Sequence, residues 1–196
     1  MILTFSRHKT VTAMKQILPI LTLTTLTAAA FADAGAAAPA AASGLSYNRV
    51  GISRQGQNNN LSVSNLIGGS NVLVTLSTDS SYDGGNSNNN YAHLSLGYVF
   101  KNVISGIDAT VSVGQGDRDY GSSVGVNLRR GLNEVVSGLE VAVGYNRQAR
   151  DTADTVSSWS YELAYNVNKQ YSVAYGIVDP NGSAETQHVV SLRYNY

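Results

Sequence analysis

Residues 158–177 read SWSYELAYNVNKQYSVAYGI, and the alternation of apolar and polar side chains in this stretch decides the fold of the chain. Aromatic and aliphatic residues occupy every second position on both sides of the polar interval 168–170. Small or polar residues such as Ser160, Glu162 and Ser172 lie between them. Because successive side chains of a β-strand point to opposite faces, this period of two predicts two antiparallel strands, each with one apolar and one polar face.

The same period continues in both directions, from residue 44 to the end of the chain. It predicts ten strands, at 45–54, 61–67, 72–79, 91–100, 107–116, 120–130, 138–147, 157–167, 171–178 and 186–196. Most of them approach the roughly 9–11 residues that a tilted strand needs to cross a bilayer. The first two alternate poorly, which leaves eight strands as the alternative. We therefore predict an all-β fold, a closed antiparallel up-and-down transmembrane β-barrel of ten strands.

A soluble β-sandwich also shows this alternation, but two features favour the membrane barrel. Charged residues make up 13% of the chain, against about 25% in ordinary soluble domains. Aromatic residues concentrate towards the strand ends, where lipid headgroups would lie. The aromatics predicted to lie at the membrane interfaces are Tyr98, Phe100, Tyr145, Trp159, Tyr165 and Tyr171.

An even number of strands returns both termini to the periplasmic side and assigns the connections. Outward loops are predicted at 55–60, 80–90, 117–119, 148–156 and 179–185. Periplasmic turns are predicted at 68–71, 101–106, 131–137 and 168–170. The outward loops are only slightly longer than the turns.

Residues 1–32 have the order of a secretory signal peptide, in which basic, apolar and small residues follow one another. Cleavage is expected after Ala30-Phe31-Ala32, and translation starts at either Met1 or Met14. A transmembrane helix is the alternative, but the apolar stretch is shorter than the roughly 20 residues that a bilayer requires. The Ala-rich residues 33–43 are expected to be a disordered lead-in, followed by the barrel at 44–196.

The charge and the motif content exclude several functions. The leader holds three of the 13 basic residues, so its removal leaves ten against 13 acidic residues, a net charge of −3. No basic stripe remains, and nucleic-acid binding is therefore not expected. The chain has no cysteine, and metal, nucleotide and phosphate-loop motifs are absent, so no cofactor is expected.

The last predicted strand ends on an aromatic residue. Apolar residues occupy alternate positions counted back from the end, namely Tyr196, Tyr194, Leu192 and Val190. This pattern resembles the C-terminal signature of bacterial outer-membrane β-barrels, within the small porin-like or OmpA-like class. The resemblance implies outer-membrane localisation, outer-membrane lipid as a partner, and recognition of this strand by the barrel-assembly machinery. Pairing of an exposed strand edge with another edge is the physical basis of such recognition.

Several charged residues are predicted to face the lumen, namely Asp108, Arg129, Glu140, Glu162 and Arg193. A two-residue turn at Arg118-Asp119 would place Asp108 opposite Arg129, and the next turn permits Arg129 opposite Glu140. Such a row is either the charged constriction of a pore or an ion-pair plug. The need to pair buried charges favours the plug.

His93 is the histidine expected to face the lumen near the outer rim, with Ser95, Asp79 and Asp83 nearby. No set of nucleophile, base and orienting group can be specified, so no catalytic residue is assigned and an enzyme is not expected. Three functions stay open: a narrow pore for small polar solutes or ions, a plugged barrel with a structural or surface-interaction role, and an enzyme that uses His93. The first two rank nearly equal, and no oligomeric state is predicted.

Overall fold

Ten antiparallel strands close into a barrel in the computed structural model, which describes residues 44–56, 58–83, 87–117, 121–149, 155–181 and 185–196. The strands are β1 Arg49–Gln55, β2 Asn58–Leu66, β3 Val72–Asp83, β4 Ser87–Ile104, β5 Ile107–Gly116, β6 Ser122–Gly131, β7 Leu139–Ala149, β8 Val156–Asn166, β9 Tyr171–Pro180 and β10 Gln187–Asn195. Each strand pairs with its neighbours in sequence, and β1 pairs with β10 to close the sheet. The prediction of ten strands is therefore confirmed over the alternative of eight.

Several predicted features lie outside the described residues. These are the signal peptide at 1–32, the lead-in at 33–43 and the turn at Arg118-Asp119, all of which stay predictions. A short 3-10 turn, Ile67–Gly69, connects β2 and β3. No helix among the described residues is long and apolar enough to cross a membrane.

Side chains alternate between the outside of the barrel and its lumen. Large apolar side chains cover the outside, and Leu163 and Val190 there are 50% and 61% exposed. Further residues of this outer face are Ile52, Leu61, Leu76, Leu94, Leu96, Val126, Leu128, Val173 and Leu192. An apolar surface of this extent is unfavourable in water and is what a bilayer requires of a barrel.

The predicted interfacial aromatics lie on this outer face. The ring centroids of Tyr98 and Phe100 are 4.8 Å apart, and those of Tyr145 and Trp159 are 5.0 Å apart. Tyr171 begins β9 and Tyr165 is the last residue but one of β8. Their role at the membrane interface stays a prediction.

Strand β4 is longer than predicted at both ends. Its 18 residues include 101–104, which were predicted as a turn, and the register with β5 shifts between Phe100 and Ile104. Asn102 has a φ of 51° inside this bulge, a conformation that asparagine tolerates better than most residues. At the other end β3 and β4 pair as far as Asp83 and Ser87, so the predicted loop at 80–90 is mostly strand. Backbone pairing holds this hairpin together although its composition is that of a loop.

Strand β1 begins at Arg49 rather than at residue 45. Residues 44–48 leave the wall of the barrel instead of extending the strand, and Tyr47 among them is only 5% exposed. Its phenol hydroxyl contacts β5, which is not a neighbour of β1. The prediction was wrong here because this segment turns the Tyr47 side chain into the lumen, and the ladders with β2 and β10 begin only at Arg49.

Candidate functional site in the barrel lumen

The predicted charge row begins with a cross-strand pair in β5 and β6. Asp108 lies directly opposite Arg129, as a two-residue turn between these strands would require. Arg129 lies opposite Ala142, however, so the predicted placement of Glu140 opposite Arg129 is wrong by two residues. The cause is the position of the connection between β6 and β7, which covers residues 132–138 and so lies one residue later than predicted. A hydrogen bond from the Gly138 amide to Oδ1 of Asn133 closes it.

Arg129 and Glu140 still form an ion pair, because the long arginine side chain reaches diagonally along the wall. The distance from Nη2 of Arg129 to Oε2 of Glu140 is 2.8 Å, and the two side chains are only 7% and 11% exposed. The other carboxylate oxygen of Glu140 accepts a hydrogen bond of 2.7 Å from Nδ2 of Asn166 on β8. Both oxygens of this buried carboxylate therefore have donors, as buried charges require.

Tyr47 joins this cluster from the segment that precedes β1. Its hydroxyl donates to Oδ2 of Asp108 at 2.7 Å, while Oδ1 of Asp108 accepts from the backbone amide of Asn102 at 2.8 Å. The guanidinium of Arg129 lies over the Tyr47 ring, with Cζ 4.8 Å from the ring centroid. Burial, and then the hydrogen bond to Asp108, raise the pKa of Tyr47 above its usual value, so the hydroxyl stays protonated and donates.

A second ion pair crosses the wall between β8 and β10. Nη1 of Arg193 donates to Oε1 of Glu162 at 2.8 Å, and Nη2 contacts the other carboxylate oxygen, so the pair is bidentate. Strand β9 lies between them, and its inner face carries the small buried residues Ser172, Ala174 and Gly176. These small residues leave the space through which the arginine reaches its partner.

Arg49, the first residue of β1, is the luminal cation that the sequence did not single out. It faces the lumen within electrostatic range of Glu140, Glu162, Arg129 and Arg193. Unlike Arg129 and Arg193, it has no ion pair within the part of the chain that the structure describes. The sequence did contain an indication that Arg49 faces the lumen, because it lies two and four residues before the small residues Gly51 and Ser53. The poor alternation of apolar and polar residues in β1 obscured this indication.

A cavity of about 310 Å³ lies in the lumen beside these charges. Its charged lining residues are Arg49, Arg129 and Glu162, and Tyr47 and Tyr161 are its aromatic ones. The rest of the wall is rich in hydroxyl groups, contributed by Ser62, Ser64, Thr75, Ser95, Thr110, Ser112 and Ser160. Such a wall offers donors and acceptors to water and to polar solutes, between the apolar residues Leu73, Val178 and Val189 that also line the cavity.

His93 also faces the lumen, as predicted, and contacts a serine other than Ser95. Its Nε2 lies 2.8 Å from Oγ of Ser123, two strands away. The imidazole passes over Gly114, where an added Cβ would come within 2.5 Å of the ring, so this contact requires glycine. Asp79 accepts a hydrogen bond from Nδ2 of Asn60 at 2.6 Å. The contact places a base beside a hydroxyl, but no donor pair for an oxyanion is described next to it.

A closed antiparallel barrel with an apolar outside and a polar lumen defines the class of small transmembrane β-barrels, and the predicted class is confirmed.

No family model and no curated protein sequence matches the chain. Among solved structures, a KdgM porin is 13% identical, with a TM-score of 0.49 over 78% of this chain and 99% of that one. A NanC porin is 9% identical, with a TM-score of 0.47 over 76% and 98% of the two chains. The outer membrane protein Omp33 of Acinetobacter baumannii is 10% identical, with a TM-score of 0.38 over 78% and 100%.

Proposed function

We propose that this chain is an outer-membrane channel for small polar solutes or ions. The observation that carries the proposal is the cavity of about 310 Å³, to which seven Ser and Thr residues contribute hydroxyl groups, inside a closed barrel whose outside is apolar. Hydroxyl groups exchange hydrogen bonds with water and with polar solutes at little net cost, so they suit passage better than tight retention.

The width and the charge of the lumen limit what passes. Tyr47 and the pairs Arg129–Glu140 and Arg193–Glu162 narrow the end of the barrel at which β1 begins and β10 ends, here called the terminal end, which we propose faces the periplasm. A barrel of about ten strands leaves little space once its side chains are in place. We therefore infer passage of single small solutes rather than of oligomers or folded segments.

A structural barrel with a plugged lumen is the second candidate. It is favoured by the hydrogen bond from Tyr47 to Asp108, which joins the segment before β1 to a distant strand. If this contact is permanent, the terminal end of the lumen is closed to solutes. The two candidates predict opposite conductance, so one measurement separates them.

The test is planar-bilayer recording of the refolded protein, together with swelling of liposomes in uncharged solutes of increasing size. The channel predicts conductance steps and swelling that falls off with solute size. Ser160→Arg, which places a long side chain in the cavity, should reduce both, whereas Leu163→Ala on the outer face should not. Silent bilayers from protein that migrates as a folded barrel would favour the plugged barrel.

Location and assembly complete the proposal. The apolar outer face supports residence in a membrane. We propose that the predicted leader is cleaved after export through the inner membrane and that the barrel then resides in the outer membrane, where lipid is its surrounding partner. We propose that the strand ending in Val190, Leu192, Tyr194 and Tyr196 is recognised by the assembly machinery. We propose no enzymatic role for His93, whose Nε2 contacts Oγ of Ser123.

A further inference from the structure

We propose that Gly44–Asn48, here called the strap, is the gate of this channel, and that withdrawal of Tyr47 from the lumen opens the terminal end. The inference rests on the proposed function, since a gate requires a channel. It concerns regulation of passage and assigns to Tyr47 the role of the moving side chain.

The strap reaches into the lumen through polar contacts with two strands that are not its neighbours. The Tyr47 hydroxyl donates to Asp108 on β5 at 2.7 Å. Arg129 on β6 donates from Nη1 to the carbonyl oxygen of Ser46 at 3.0 Å, and its guanidinium covers the Tyr47 ring. Tyr47 therefore bridges the lumen from the β1 side to the β5–β6 side.

The base of the strap is fixed to the wall. Oδ1 of Asn48 accepts from the backbone amide of Leu66 at 2.8 Å, and its carbonyl oxygen accepts from the Tyr196 amide at 3.1 Å. Oγ of Ser64 donates to the carbonyl oxygen of Tyr47 at 2.8 Å. Gly44 at the other end has a φ of +71°, which glycine adopts without strain. The strap thus has an anchored base at Asn48, which can act as a hinge, and a flexible residue at its start.

The charged residues of the barrel wall keep hydrogen-bond or ion-pair partners when the strap withdraws from the lumen. Asp108 retains the hydrogen bond from the Asn102 amide, and Arg129 retains its ion pair with Glu140. Asp108 and Arg129 also lie opposite each other in the sheet. Because no buried charge loses every partner, withdrawal avoids the large penalty of an isolated charge. The contacts that break are polar, and lumen water can replace them.

Single-channel recording tests the gate with two substitutions at Tyr47. Tyr47→Phe removes the hydroxyl that donates to Asp108 but keeps the ring beneath Arg129. It should raise the open probability by roughly tenfold, since a hydrogen bond to a charged group is lost from the closed state alone. Tyr47→Ala removes the ring as well and should hold the channel at the open level. Both variants should share the open-level conductance of the parent protein.

Tyr175→Phe is the matched control, because it removes a hydroxyl that contacts His188 on the outer face. It should leave the open probability unchanged. If the parent and both Tyr47 variants conduct with equal open probability, the proposal of a gate is contradicted and the proposal of a channel is supported. If none of them conducts while all migrate as folded barrels, the channel itself is wrong. Conductance that appears only in the Tyr47 variants supports the gate. Should Tyr47→Ala fail to fold, Tyr47→Phe alone gives the same comparison.

Discussion

Arg129 contacts groups of two different kinds in the lumen. Its ion pair with Glu140 belongs to the wall of the barrel, whereas its hydrogen bond to the Ser46 carbonyl and its contact with the Tyr47 ring belong to the segment before β1. With its side chain only 7% exposed, this guanidinium depends on protein partners rather than on water. Arg129 therefore contributes both to the stability of the barrel wall and to the contacts that close the lumen.

Arg129→Ala should lower the stability of the barrel clearly. It leaves the buried Glu140 carboxylate without the cation of its ion pair and removes the positive charge opposite Asp108. The loss of one partner in a buried network costs about 3–5 kcal/mol, less where water reaches the lumen. The neighbouring Arg130 pairs with Glu134 on the outside, where the two side chains are 40% and 54% exposed. Arg130→Ala should cost about 0–1 kcal/mol. Thermal unfolding in detergent measures both, and equal midpoints for the two variants would show that the luminal network contributes no stability.

Arg49 should influence the ion selectivity of the channel. Since Arg129 and Arg193 are each paired with a glutamate, Arg49 contributes positive charge to the cavity wall that no ion pair offsets within the described residues. Arg49→Glu should shift the reversal potential in a salt gradient towards cation preference, because it changes the luminal charge by two units. Arg54→Glu makes the same change on the outer face and should have little effect. Identical shifts from both variants would mean that the permeating ions do not pass Arg49.

The sequence predicted some of these residue contacts and missed others for physical reasons. The placement of Asp108 opposite Arg129 follows from the length of one turn and the period of two, so the sequence around that turn is enough to predict it. The position of Glu140 depends on where the connection between β6 and β7 begins, which the period of two does not set. Tyr47 was missed because its partner is 61 residues away and becomes close only when the barrel closes.

At the scale of the strands, the two faces of β8 are chemically opposite. Tyr161, Leu163 and Tyr165 point outwards and are close to half exposed, whereas Ser160 and Glu162 line the cavity. The alternation in the sequence predicts this division, because each strand of a closed barrel has one face towards lipid and one towards the lumen. The ends of the strands were harder to predict from the sequence. Backbone hydrogen bonds extend β4, and Asn and Ser residues form them as readily as Val residues do.

The division predicts unequal tolerance of the same substitution on β8. Leu163→Arg places a charge against lipid at mid-strand, at a cost of roughly 2–4 kcal/mol near the bilayer midplane. Ser160→Arg, three residues away, places the charge in a polar cavity and should be far milder. Urea unfolding in lipid vesicles compares the two variants directly. Similar losses of stability would mean that the outer face of β8 is not in contact with lipid.

At the scale of the whole molecule, closure removes every free strand edge from the described wall. Strand β10 pairs with β9 on one side and with β1 on the other, from Arg49–Asn195 to Gln55–Val189. The edge of β10 is therefore available for recognition only before the β1–β10 seam forms. This order of events separates the role of the last strand in assembly from its role in the finished barrel.

Deletion of Tyr196 should reduce assembly in cells while leaving the stability of the finished barrel nearly unchanged. Tyr196 lies beyond the ladder of β10 and is 57% exposed, with hydrogen bonds only to the Asn48 and Ser64 carbonyl oxygens among the described residues. The ladder from Gln187 to Asn195 remains without it, so protein refolded in detergent should still migrate differently before and after boiling, as closed barrels do when their hydrogen bonds resist detergent. The level in the outer membrane should fall, and Tyr196→Phe, which keeps a terminal aromatic ring, should restore it. Normal levels after the deletion would show that the terminal aromatic is not an assembly signal, whereas loss of heat-dependent migration would show that Tyr196 stabilises the seam itself.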